Sequence, residues 1–114
     1  MIPVTVRIFA YSEPVDMRRG FDSLALIARE KLEQDPRSGA LIIFTNRRRD
    51  RLKALWWDRN GYCVLYKRVH GAVFELPSPD PGAVSIRIDG QKLVHLLAGT
   101  PKTRKRRSNL RIVR

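Results

Sequence analysis

Apolar and polar positions alternate from the first residues. Ile2, Val4, Val6 and Ile8 are interleaved with Pro3, Thr5, Arg7 and Phe9. A period of two predicts a half-buried strand. Pro3 has no N–H to give to a ladder, which places its end of the strand at a sheet edge. Ser12-Glu13-Pro14 breaks the strand. The period then lengthens. Phe21, Leu24, Ala25, Ala28 and Leu32, with Ile27 beside them, recur at helical spacing and predict a helix near 21–34 with these residues inward. Asp16 or Asp22 is a candidate cap for its start. Asp35-Pro36 stops the helix and Ser38-Gly39 turns the chain.

From residue 40 the period returns to two. Leu41-Ile42-Ile43-Phe44 is a short apolar run, as expected of a central strand covered on both sides. A charged turn, Asn46 to Asp50, follows. Along 51–57, Leu52, Ala54 and Trp56 fall on one face, and Arg51, Lys53, Leu55 and Trp57 on the other. Asn60-Gly61 inside Asp58-Arg59-Asn60-Gly61 signals a hairpin, with 62–69 as the return strand and 72–76 as a short further strand after Gly71. Val84, Ile86 and Ile88 form a last strand beyond the proline-rich stretch 77–82. Asp89 reads as an N-cap, Leu93, Leu96 and Leu97 as one helical face, and Gly99 as the residue just past the helix end. The pattern predicts an α+β fold. An antiparallel meander of about five or six strands packs on one main helix, and a short C-terminal helix near 89–98 closes one end. Residues 1–99 are expected to form one domain and 100–114 a flexible basic tail.

Charge changes the picture from fold to partner. The 114 residues carry 23 Lys and Arg against 11 Asp and Glu, a net charge of +12. All 11 acids and 16 of the cations precede residue 99, leaving +5 there and +7 in the remainder. A chain so basic repels itself; a polyanion such as nucleic acid is the first reading of the charge, with an acidic protein partner or plain solubility as the alternatives. Cys63 is the only cysteine, so no intrachain disulfide and no Cys-based zinc site can form, in keeping with a reducing cytoplasm. No run approaches the roughly 18 apolar residues of a membrane helix.

Cations and rings interleave in Asn46-Arg47-Arg48-Arg49-Asp50-Arg51-Leu52-Lys53-Ala54-Leu55-Trp56-Trp57, and Tyr62, Tyr66, Lys67 and Arg68 add more across the hairpin. Guanidinium groups pair bidentately with phosphate. Trp56, Trp57, Tyr62 and Tyr66 have two readings: platforms for unpaired bases or a partner, or core and cross-strand packing. The arginines likewise contact phosphate or sit in a solvated turn. Arg18 and Arg19 are a second cationic pair. The tail contributes Lys102, Arg104, Lys105, Arg106 and Arg107. Cations in this number match neutralisation of ~6–10 phosphates, worth ~10³–10⁵ in affinity between low and moderate salt. Nothing indicates catalysis. The acids form no tight motif for a metal pair, His70 and His95 are solitary, and no serine sits in a nucleophile elbow. No catalytic residue, metal site, cofactor, small-molecule substrate or membrane partner is expected.

Two ordered blocks of residues also match a known pattern. Asp16-Met17-Arg18-Arg19-Gly20-Phe21-Asp22-Ser23-Leu24 resembles the N-terminal signature of the TnpB accessory proteins, encoded by the small second reading frame of insertion sequences of family sixty-six. Phe44-Thr45-Asn46-Arg47-Arg48 through Leu55-Trp56-Trp57-Asp58, then Gly61-Tyr62-Cys63 and Tyr66-Lys67-Arg68, resembles the family's central signature, and 93–99 its terminal helix. The resemblance implies a non-catalytic accessory of transposition, working beside a separate transposase that supplies the catalytic acids. It raises the weight on Arg18, Arg19, Arg47, Arg48 and Arg68, and has no catalytic residue to transfer. Three functions follow as alternatives: DNA binding through the arginine hairpin and tail, a protein adaptor docking on the transposase or another protein of the same element through the face bearing Leu55, Trp57 and Tyr62, or, least supported, a small nuclease using Asp16 or Asp58.

Overall fold

In the computed structural model, which describes residues 6–102, the first alternation becomes strand β1 (Arg7–Tyr11). Ile2, Pro3 and Val4, and the tail cations from Arg104 onward, lie outside the described residues. Helix α1 (Phe21–Lys31), a 3-10 turn (Pro36–Ser38), β2 (Ala40–Thr45), β3 (Arg51–Asp58) and β4 (Gly61–Arg68) follow. The chain then forms β5 (Ala72–Val73), β6 (Ser85–Ile88), α2 (Gly90–Ala98) and β7 (Thr100–Pro101). Five strands make one sheet in the order β4-β3-β2-β1-β6, while β5 and β7 pair as a separate ribbon.

The class is α+β and the sheet mostly antiparallel, but two expectations need correction. The first is the uninterrupted meander. It holds for β2, β3 and β4 and fails at β1, which runs parallel to β2 (Phe9 opposite Ile42) and antiparallel to β6 (Phe9 opposite Arg87). A parallel pair needs a crossover of a dozen or more residues. Residues 12–39 supply it and carry α1 across one face. The segment 72–76 also leaves the sheet. Gly71 turns with φ 67°, Ala72 and Val73 pair with β7, and Phe74 drops into the core.

The second correction concerns the C-terminal helix. Phe9, Tyr11, Ile42, Phe44 and Leu55 point to α1 and meet Leu24, Ala25, Ala28 and Leu32. Ile8, Ala10, Leu41, Ile43, Leu52 and Ala54 point the other way and meet Phe74 and Leu96. Helix α2 therefore covers the second face of the sheet instead of closing one end. Strands β1 and β2 are buried on both sides, and each enclosed Leu, Ile or Phe contributes about 1.5–3 kcal/mol.

Local signals show where the sequence is read correctly and where its details shift. Asp89 caps α2, its carboxylate accepting from the Lys92 N–H at 2.8 Å, and Gly99 ends the helix. Gly20 is the N-cap of α1 with no side-chain bond, so neither Asp16 nor Asp22 caps it. The helix ends at Lys31, where Glu33 turns left-handed (φ 55°) and the Gln34 N–H returns to Ala28 O at 3.0 Å. Phe21, expected inward, is half exposed. The β3–β4 hairpin forms, but its two-residue loop is Arg59-Asn60. Arg59 takes the left-handed conformation, and Gly61 already pairs with Asp58.

Candidate nucleic-acid interface

The charged turn between β2 and β3 is built by one side chain. Asn46 Oδ1 accepts from the N–H groups of Asp50 (3.1 Å) and Arg51 (3.0 Å), and Asn46 Nδ2 donates to Asp50 Oδ1 at 2.7 Å. That last bond holds the Asp50 carboxyl below its ordinary range, with the nearby cations Arg51 and Arg48 adding to it. Closing the turn on Asn46 leaves Arg47 and Arg48 at its tip, exposed and making no side-chain hydrogen bond or ion pair within 4 Å among the described residues. Arg49 is different. It is half-buried, and its guanidinium donates to Ser12 O at 3.2 Å.

The β3–β4 register sets the next layer. On the α1 face Arg51 lies opposite Arg68, and Lys53 opposite Tyr66. Two guanidiniums directly across a ladder repel each other. Arg51 leans away, donating to Tyr66 Oη at 3.0 Å, and Arg68 stays exposed. The Lys53 ammonium sits 4.9 Å from the Tyr66 ring centre and donates to Arg19 O at 2.8 Å. That bond ties the loop before α1 to the sheet and brings Arg18 and Arg19 beside the β3 cations. Arg19 donates to Ser23 Oγ at 2.6 Å. Arg18 pairs with Asp16 at 2.6 Å, and its side-chain and backbone bonds hold that carboxyl well below the usual carboxylate range. The ring at the front of this loop is Phe21, 50% exposed, and Tyr66 is 48% exposed.

The remaining candidates separate from this cluster. Lys67 projects from the opposite face and donates to Leu97 O at 2.5 Å, a cation at the C-terminal end of α2. Trp56 packs against the core on the α2 face, its buried Nε1 without a partner. Trp57 is enclosed at the hairpin tip: Nε1 donates to Arg59 O at 3.1 Å, the Tyr62 ring meets it edge-on at 4.9 Å, and the Arg37 guanidinium covers it at 4.3 Å. Leu55 is fully buried beneath α1. Lys102 is exposed, and its backbone N–H donates to Gly71 O. Arg104, Lys105, Arg106 and Arg107 fall outside the described residues.

Two participants escape sequence reading. Phe21 shares the helical stripe of Leu24, Ala25 and Ala28, so periodicity assigns it to the core. Its position directly after Arg18-Arg19-Gly20 is the one hint of another role. Arg37, which seals Trp57, has no local signal at all, because their contact spans twenty positions in the chain.

Among the described residues no group of three or more His, Cys, Asp and Glu is arranged to hold a metal ion. No described helix is long and apolar enough to cross a membrane.

The model of the family described as IS66 Orf2 like protein matches residues 6–107, nearly the whole chain. The chain belongs to this family. This is a transposition-associated family, and the matched signatures and the arginine cluster lie within the matched residues. Two similar proteins come from Sinorhizobium fredii (strain NBRC 101917 / NGR234). Uncharacterized protein y4hO is 38% identical over 94 residues, covering 82% of this chain and 80% of that protein. Uncharacterized protein y4jC is 31% identical over 102 residues, covering 90% and 86%. No solved structure matches this member of the IS66 Orf2 like family.

Proposed function

We propose that this protein is a non-catalytic DNA-binding accessory that holds the element's DNA for the transposase. The observation that carries the reading is the juxtaposition of Arg47, Arg48, Arg51, Lys53 and Arg68 on one end of the β3–β4 hairpin, joined by Arg18 and Arg19 through the Lys53–Arg19 bond. Repulsion across the Arg51–Arg68 pair is a cost to the fold that a bound phosphate between them removes. The basic tail, Lys102 with Arg104, Lys105, Arg106 and Arg107, adds non-specific attraction by its charge. Arg49, half-buried on Ser12 O, and Lys67, on the opposite face of the sheet, serve the fold in this reading, whereas Lys53 keeps its Arg19 O bond and adds its charge to the cluster. Phosphate contacts of this kind position a protein without reading sequence.

The test is a salt titration of DNA binding with the Arg47→Ala/Arg48→Ala double variant. Each lost phosphate contact flattens the slope of log affinity against log salt by about one. Absence of binding at low salt, or an unchanged slope, removes the reading. The adaptor alternative is less well supported, because Leu55 is buried and Trp57 is covered, leaving its docking face closed.

A further inference from the structure

Of the aromatic rings near the cations, two are open. Trp57 is closed by Arg37 and Tyr62, and Trp56 packs inward. Tyr66 and Phe21 are each about half exposed, although both are large apolar groups whose burial would stabilise the fold. They come from distant parts of the chain, and one lysine links the segments that carry them. Lys53 sits on the Tyr66 ring and bonds the carbonyl of Arg19, two residues before Phe21. Arg51 fixes the phenol oxygen from the side, so the Tyr66 ring is oriented before any ligand arrives. Strand β4 is the sheet edge among the described residues, with no further described strand beyond Tyr66.

We infer that Phe21 and Tyr66 form a two-ring platform for the bases of an unpaired DNA strand, with Lys53, Arg51, Arg68 and Arg19 taking its phosphates. The inference rests on the DNA-binding reading and narrows it to one form of DNA. Cations alone serve any polyanion, whereas an exposed ring adds affinity only where a base face is free to stack. In a duplex those faces are covered by neighbouring base pairs. A ring lying on a sheet surface, with its hydroxyl already bonded to Arg51, is no wedge to open them.

The experiment compares three ligands of equal length at fixed salt: a thymidine oligomer, an abasic oligomer with the same phosphates, and a duplex. The native protein is expected to bind the thymidine oligomer about ten-fold or more tightly than the abasic one. Phe21→Ala and Tyr66→Ala each reduce that ratio several-fold, without changing the salt slope and with little change for the duplex. Tyr66→Phe retains most of the ratio. Both rings are exposed, so circular dichroism and thermal unfolding of the variants should stay near native. Equal affinity for the thymidine and abasic oligomers overturns the platform while leaving phosphate binding intact. Tighter binding to the duplex than to the single strand also overturns it. No binding to any of the three at low salt overturns both this inference and the DNA-binding reading beneath it.

Discussion

The two ends of the β3–β4 hairpin are built from the same kinds of residue and reach opposite results. At the tip, Trp57, Tyr62, Arg37 and Arg59 close on one another: ring edge to ring, guanidinium over indole, indole N–H to backbone carbonyl. At the other end, Arg47, Arg48, Arg68 and Tyr66 are exposed and Arg51 and Lys53 half-buried, with Arg51 facing the like charge of Arg68 across the ladder. Each end makes a cation–π contact, Arg37 over Trp57 at the tip and Lys53 over Tyr66 at the other, but Tyr66 stays about half exposed. The open end has a hydrogen-bonded turn beneath it and its charges left over. An arginine beside an aromatic ring is therefore not a binding signature by itself. The partner that reaches the ring first, protein or ligand, decides its role.

This comparison can be broken most directly at the tip. Trp57→Ala removes a half-buried indole together with its Tyr62 and Arg37 contacts. It is expected to lower stability by about 2–3 kcal/mol in denaturant unfolding, below the ~3–5 kcal/mol of a fully buried Trp. Tyr66→Ala at the open end should cost under about 1 kcal/mol, a typical surface value. Equal losses at the two ends would erase the distinction. Next in size is Asn46→Ala, which deletes the three hydrogen bonds of the charged turn. A loss of about 1–2 kcal/mol is expected, with weaker DNA binding as Arg47 and Arg48 lose their setting. Arg68→Gln sharpens the contrast by moving two observables in opposite directions. Stability rises by a few tenths of a kcal/mol as the Arg51 repulsion is relieved, while affinity for DNA falls.

The smallest effect concerns Asp16. Its folded-state carboxyl is held below the unfolded value by Arg18, so the pair stabilises the fold above the unfolded pKa. That contribution fades as pH falls through the folded pKa. Both groups are exposed, so the change in stability is slight. A carbon-detected NMR titration should find Asp16 ionised at acidities where ordinary aspartates are protonated, and Arg18→Ala should raise it towards their range while the backbone N–H of residue 18 keeps part of the shift.

Much of this arrangement is legible along the chain. The split of β3 into Leu52, Ala54 and Trp56 against Arg51, Lys53, Leu55 and Trp57 follows from period two, and the structure keeps it. So do the inward residues Leu24, Ala25, Ala28 and Leu32, the Asp89 cap, and the hairpin at Asp58–Gly61. The Asn-Gly signal gives the turn but misplaces it by one residue, because Arg59 itself takes the left-handed position. Phe21 is misread because helical spacing identifies a stripe and not how far the opposing sheet extends beneath it.

By itself, then, the sequence determined the main strands and both helices, most of their inner faces, the cationic surplus and the family. Each depends on residues within a few positions of one another or on composition. Tertiary structure alone decided that β1 lies between β2 and β6, that α1 and α2 take opposite faces, and that Lys67 points away from Arg68's surface to the end of α2. It also decided which rings stay open. Arg37 and Trp57, or Lys53 and Arg19, are neighbours only after the long crossover through α1 has closed. Contacts at such separations leave no period in the sequence to read.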